Sequence, residues 1–150
     1  MARCSTMNSS NIRSRAPAAR NADRGAYSPV ELDGLGDYLQ AAMAHSPVEQ
    51  VRVMFLNAKN LLIANEAIWT GSVDEAAVHV REVMARAIQL GATAIILVHN
   101  HPSGDPSPSS QDIRLTRDLI EAGRHMKITV HDHVIVGAQG RTSLKASGLL

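Results

Sequence analysis

His99 and His101 stand two residues apart in the stretch His99-Asn-His-Pro-Ser-Gly-Asp-Pro-Ser-Pro-Ser-Ser-Gln-Asp112. In extended backbone, residues i and i+2 point the same way. Two imidazoles so placed can reach one ion at Zn–N distances of about 2.0–2.1 Å. Pro102 disfavours helical backbone at His101 and keeps the pair extended. Asp112 follows after a loop long enough to fold back. Two neutral nitrogens and one carboxylate are the protein set of a catalytic zinc site, with the fourth position left to water. A plainer reading stands beside it. Ser109-x-x-Asp112 resembles a helix capping box, in which Ser109 caps and Asp112 favours the helix N-terminus without doing chemistry.

The elements that must hold these residues follow from hydrophobic period. Glu31–Ala44 predicts a helix with Leu35, Tyr38, Leu39 and Met43 on one face. Gln50–Leu56 alternates, with Val51, Val53 and Phe55 on one side, and predicts a strand. A turn at residues 57–60 leads to a second strand over Leu61–Trp69, so an antiparallel hairpin is expected. Arg81–Leu90 predicts a helix that places Val83, Met84, Ala87, Ile88 and Leu90 inward and stops at Gly91. Ala94–Val98 is continuously apolar, the pattern of a strand covered on both faces. His99–Ser110 reads as a loop, Asp112–Met126 as an amphipathic helix and Ile128–Val136 as a last strand. Strands and helices interleave, which predicts an α/β (α+β layered) domain with a mixed β-sheet flanked by helices.

The 150 residues suit one domain. Residues 1–28 carry five arginines (Arg3, Arg13, Arg15, Arg20, Arg24), one acid (Asp23) and no apolar period. They read as a disordered basic tail ahead of a domain over 29–150, and the tail offers a contact for DNA. The formal charge of +1 does not itself demand a nucleic-acid partner. Aromatic residues make up 3% of the chain, so the core must be aliphatic and a base-stacking surface is disfavoured. Cys4 is the single cysteine, which excludes an intrachain disulfide and a cysteine-cluster metal site. No apolar run reaches the ~20 residues of a bilayer span and no secretory signal is visible, so a cytoplasmic protein without membrane contact is expected. Exposed strand edges leave a homodimer open.

His99-x-His101, seven residues (102–108), then Ser109-x-x-Asp112 resembles the signature of the JAMM (MPN-positive) metalloprotease family. The wording His-Asn-His-Pro-Ser-Gly-Asp is similar to its bacterial RadC-type branch, long labelled as DNA-repair proteins. Phe55-Leu-Asn-Ala-Lys-Asn60, Thr70-Gly-Ser72, Arg81-Glu-Val83 and Asp132-His-Val-Ile-Val-Gly137 agree with that branch, so the resemblance spans residues 29–150. It implies a JAB/MPN (cytidine-deaminase-like) architecture and one Zn2+ per chain, held by His99, His101 and Asp112. It implies Ser109 as a residue that helps stabilise the oxyanion and an upstream glutamate as general base. Glu49, just before the first strand, fits that place better than Glu66 in the second. The activity implied is that of a zinc metallopeptidase on a peptide or isopeptide. A DNA-repair accessory protein and a scaffold with a vestigial site are the other readings. The chain departs from the branch in having the polar tail where a helix-hairpin-helix region usually stands, and Val80 where many relatives have Pro. Asp132 is a further carboxylate that could orient a ligand histidine, or serve only as a strand-edge residue.

Overall fold

A computed structural model describes residues 32–71 and 78–150; the tail expected over 1–28 and the start of the domain at 29–31 lie outside the described residues. Eight elements follow in chain order: α1 (Leu32–Met43), β1 (Glu49–Leu56), β2 (Leu62–Gly71), α2 (Val80–Leu90), β3 (Ala94–Asn100), α3 (Ser110–Met126), β4 (Thr129–Gly137) and β5 (Gly140–Ser143). The strands form one mixed sheet in the order β2-β1-β3-β4-β5. β3 and β4 pair in parallel with α3 as their crossover, and the other neighbours are antiparallel.

Side-chain alternation divides the sheet into two apolar faces. On one, Leu35, Leu39 and Met43 of α1 pack on Met54, Leu56, Ile96, Val98 and Val136. On the other, Val83, Met84 and Ala87 of α2 and Leu119 of α3 cover Val53, Phe55, Ile95 and Leu97. β3 is buried at every position, as its unbroken apolar run requires. Its odd-numbered residues face α2 and α3, and continuing that alternation carries His99 to the same side.

Three expectations are corrected. Tyr38 and Ile88 are each 59% exposed, because at 100° per residue they fall at the margins of the stripes formed by Leu35, Leu39 and Met43 and by Val83, Met84 and Ala87. β3 runs on through His99 and Asn100, which pair with β4, so these two residues are strand and not loop. β5 has no counterpart in the sequence reading: its four residues, Gly-Arg-Thr-Ser, form an edge strand without apolar alternation. Among the described residues, no helix is long and apolar enough to cross a membrane.

Candidate metal centre

The site lies where β3 ends, beside the start of β1 and the start of α3. His99 is buried at 6% exposure, opposite Val51 in the β1–β3 register. Glu49 opens β1 and is also buried, and its Oε1 meets His99 Nε2. Asn100 fixes that glutamate's backbone on both sides. Its Oδ1 accepts the Gln50 N–H at 2.8 Å and its Nδ2 donates to the Val48 carbonyl at 3.0 Å. Asn100 is 1% exposed, and its role is not readable from the two-residue spacing of the histidines.

His101 leaves the sheet but not its direction. Its N–H donates to the Val136 carbonyl at 2.8 Å, and its ring stands edge-on to His99 with centroids 4.7 Å apart. His101 Nδ1 lies 2.8 Å from the Asp105 carbonyl, which can only accept. The proton is therefore on Nδ1, and the Nε2 lone pair is turned to the site. The loop that supplies Asp105 is pressed against the end of β4. A Cβ on Gly137 would fall on the Gly104 carbonyl oxygen, far inside van der Waals contact. Gly104 itself sits at φ 90, the left-handed region that glycine tolerates.

Asp112 forms the capping box that the plainer sequence reading expected, and its carboxylate also faces the two histidines. Ser109 is the N-cap of α3: its Oγ accepts the Asp112 N–H at 3.1 Å, while Asp112 Oδ2 accepts the Ser109 N–H at 2.8 Å. The Ser109 hydroxyl also donates to Asp112 Oδ2 at 2.6 Å. The same carboxylate faces the histidines. Oδ1 lies 2.9 Å from His99 Nδ1, and Oδ2 lies 3.7 Å from His101 Nε2. The capping box thus aims the carboxylate rather than competing with it. Burial pushes the Asp112 carboxyl up, but the His101 and His99 rings that face it and the Ser109 hydroxyl outweigh that and hold it well below the usual carboxylate range. The side-chain contact with Asp112, opposed by burial and helped by the Asp105 carbonyl, raises His101 above its ordinary value.

The sequence reading missed His133. It is fully buried on β4, its ring 6.0 Å from that of His99 with an interplanar angle of 22°. Its alternation with Ile135 on the same strand was the available signal. Burial, then the neighbouring His99, push His133 down to about 4. Its Nδ1 lies 2.7 Å from Thr116 Oγ1, another buried α3 residue the sequence reading passed over. Asp132 falls on the opposite face with Leu35 and Leu39. It accepts from Ser143 Oγ at 2.6 Å and from the His133 and Lys145 N–H groups, and orients no site histidine. Glu66 opposes Val53, four residues along β1 from Glu49, or about 13 Å at the rise of a strand. It is paired with Arg86 of α2 at 2.6 Å and does not reach the site.

Glu49, His99 and His101 form one group able to hold a metal ion, and His99, Asp112 and His133 form another, with the ligand atoms in each group within 4.8 Å of one another. His99 Nδ1 and His133 Nε2 are buried without a hydrogen-bond partner. Buried nitrogens left unmatched beside carboxylates are the donor set a cation would satisfy, so the residues present fit a divalent transition metal.

A family model described as a RadC-like JAB domain matches residues 30–149. The chain belongs to the RadC-like JAB domain family. The five-stranded mixed sheet of this RadC-like domain, with α1 on one face and α2 and α3 on the other, agrees with the fold that the sequence resemblance implied. Glu49, His99, His101, Ser109 and Asp112 line a single cleft of about 850 Å3. Val51, Val78, Val80 and Leu115 give that cleft apolar walls.

Proposed function

We propose that this RadC-like domain is a zinc-dependent hydrolase of amide bonds, with a peptide or isopeptide as substrate. One observation carries the reading: His99, His101 and Asp112 meet in one cleft with the Glu49 carboxylate against His99. In this reading His99, His101 and Asp112 hold the ion with two nitrogens and one oxygen, leaving a position for water. Bound there, Zn2+ supplies a Lewis acid that brings the ionisation of water to near-neutral pH. Glu49 takes the proton of the attacking water and returns it to the leaving amine. Asn100 keeps Glu49 at that post through the backbone on either side of it. Ser109 steers Asp112 with its N–H and hydroxyl; in the reaction that hydroxyl rotates from the carboxylate to donate to the developing oxyanion. The apolar walls limit water near the reacting bond.

The test is Glu49→Gln assayed on a panel of peptide and isopeptide substrates. The variant is expected to keep its zinc and to lose roughly 10²–10⁴ in rate. A glutamine variant as active as the parent, or a zinc-loaded parent inert on every amide tried, would contradict the proposal.

A further inference from the structure

Gln40 stands on α1, across the sheet from the cleft, and is half-buried on the helix whose Leu39 and Met43 pack against that sheet. Its Nε2 donates to the Gly137 carbonyl at 2.7 Å, a contact between residues 97 apart in the chain. A carbonyl can only accept, so the amide cannot be turned end for end. Its Oε1 is then left buried with no hydrogen-bond partner among the described residues. An unmatched buried acceptor offsets what a single hydrogen bond contributes to stability. Gln40 therefore adds little to the stability of the fold, and its contact serves to hold the Gly137 carbonyl in one place.

Gly137 ends β4, and the turn from it into β5 clasps the loop that follows His101. The Gln139 N–H donates to the Gly104 carbonyl at 3.0 Å, and that oxygen lies where a Cβ on Gly137 would stand. The Gly104 N–H returns to the His101 carbonyl at 3.0 Å. The next residue, Asp105, offers the carbonyl that takes the His101 Nδ1 proton at 2.8 Å. The His101 N–H is itself bonded to Val136, the residue before Gly137. Backbone and ring of His101 are thus both held by chain that depends on where Gly137 sits. We infer that Gln40 is a positioning residue: by fixing the Gly137 carbonyl from the opposite face of the sheet, it fixes the Gly104–Asp105 loop and with it the His101 ring, Nε2 toward the ion. This rests on the metal reading of His101 given above. α1 contributes no residue to the lining of the cleft, yet it helps to set one of the ligands there.

The experiment compares Gln40→Met, which keeps the reach of the side chain without a donor, with Gln40→Lys, which restores a donor. Zinc affinity is measured by competition with a chromophoric chelator, and stability by urea unfolding. Methionine is expected to weaken zinc binding by about tenfold, the lower end for groups that hold a ligating histidine. Its stability should equal or exceed the parent's, and lysine should recover most of the affinity. Parent affinity in the methionine variant would overturn the inference. So would a joint loss of stability and affinity that lysine does not relieve, the result expected of packing alone. Long-range 15N NMR of the metal-free chain reads His101 directly: its proton is expected on Nδ1 in the parent and shared between the two nitrogens in the methionine variant. Identical His101 spectra would overturn the inference. If the parent takes up no zinc, the hydrolase proposal falls by itself, and these spectra still decide the role of Gln40. Should a variant fail to fold, the through-bond coupling between Gln40 Nε2 and the Gly137 carbonyl carbon in the parent decides: its presence supports the inference and its absence overturns it.

Discussion

Asp112 divides its carboxylate between two duties: Oδ2 receives the Ser109 N–H and hydroxyl, while Oδ1 faces His99. Removing the Ser109 hydroxyl should be felt in both. Ser109→Ala is expected to lower stability by ~1 kcal/mol through the lost cap, read by urea unfolding. It should also weaken zinc binding by roughly tenfold or more, since Asp112 loses an outer partner. His133 gives a prediction of opposite character in metal-free protein. Burial holds its folded-state value at about 4, below the ordinary 6.5, so the unfolded chain takes up a proton that the folded chain refuses. Stability should therefore fall as pH drops from about 6.5 toward 4, by ~3 kcal/mol at most. Asp112, whose value is depressed, loses its contribution only below the ordinary carboxylate range, and His101, whose value is raised, loses its contribution only as pH rises. Denaturant unfolding of His133→Phe across that window should show a flatter slope than the parent. In the sequence, type and spacing marked His99, His101 and Asp112, whereas Glu49 and the oxyanion role of Ser109 came only from the family resemblance. The sequence hid His133, Thr116 and Asn100 because their importance comes from which face of a strand or helix turns inward, and that is settled by packing.

At the scale of the elements, position depends on where β3 ends. Its apolar run told of a covered strand, and the structure extends it far enough for alternation to bring His99 onto the α3 side. The loop after it is fixed by contact and not by composition alone. The Gly104 carbonyl accepts the Gln139 N–H at 3.0 Å and lies directly against Gly137. Gly137→Ala is expected to force the two backbones apart, costing about 1–3 kcal/mol as other overpacked sites do. Because His101 is bonded to Val136 and to Asp105 of the same loop, zinc affinity should fall with it. Thermal unfolding and chelator competition on the one variant check both. The helices and the first four strands were legible as apolar periods. β5 was not, because a short edge strand whose partner supplies all the order needs no pattern of its own. The α3 start was ambiguous between cap and ligand in the sequence; the structure shows the capping box at Ser109 and Asp112, with the same carboxylate turned to the histidines.

Across the whole molecule, four separate stretches of chain build the cleft: the head of β1, the start of α2, the tail of β3 with the loop after it, and the first half of α3. Nothing in the sequence states that β1 lies between β2 and β3, and that order is what brings Glu49 to His99 across 50 residues of chain. The proposal makes this convergence a binding site for one zinc ion per chain. Metal content of the purified, folded protein after dialysis against trace-free buffer measures it most directly. The account predicts about one zinc per chain, lost in both His99→Ala and His101→Ala while each variant retains its fold by circular dichroism. A folded parent that takes up no zinc with all its ligands intact, or an alanine variant that keeps the full amount, would contradict it.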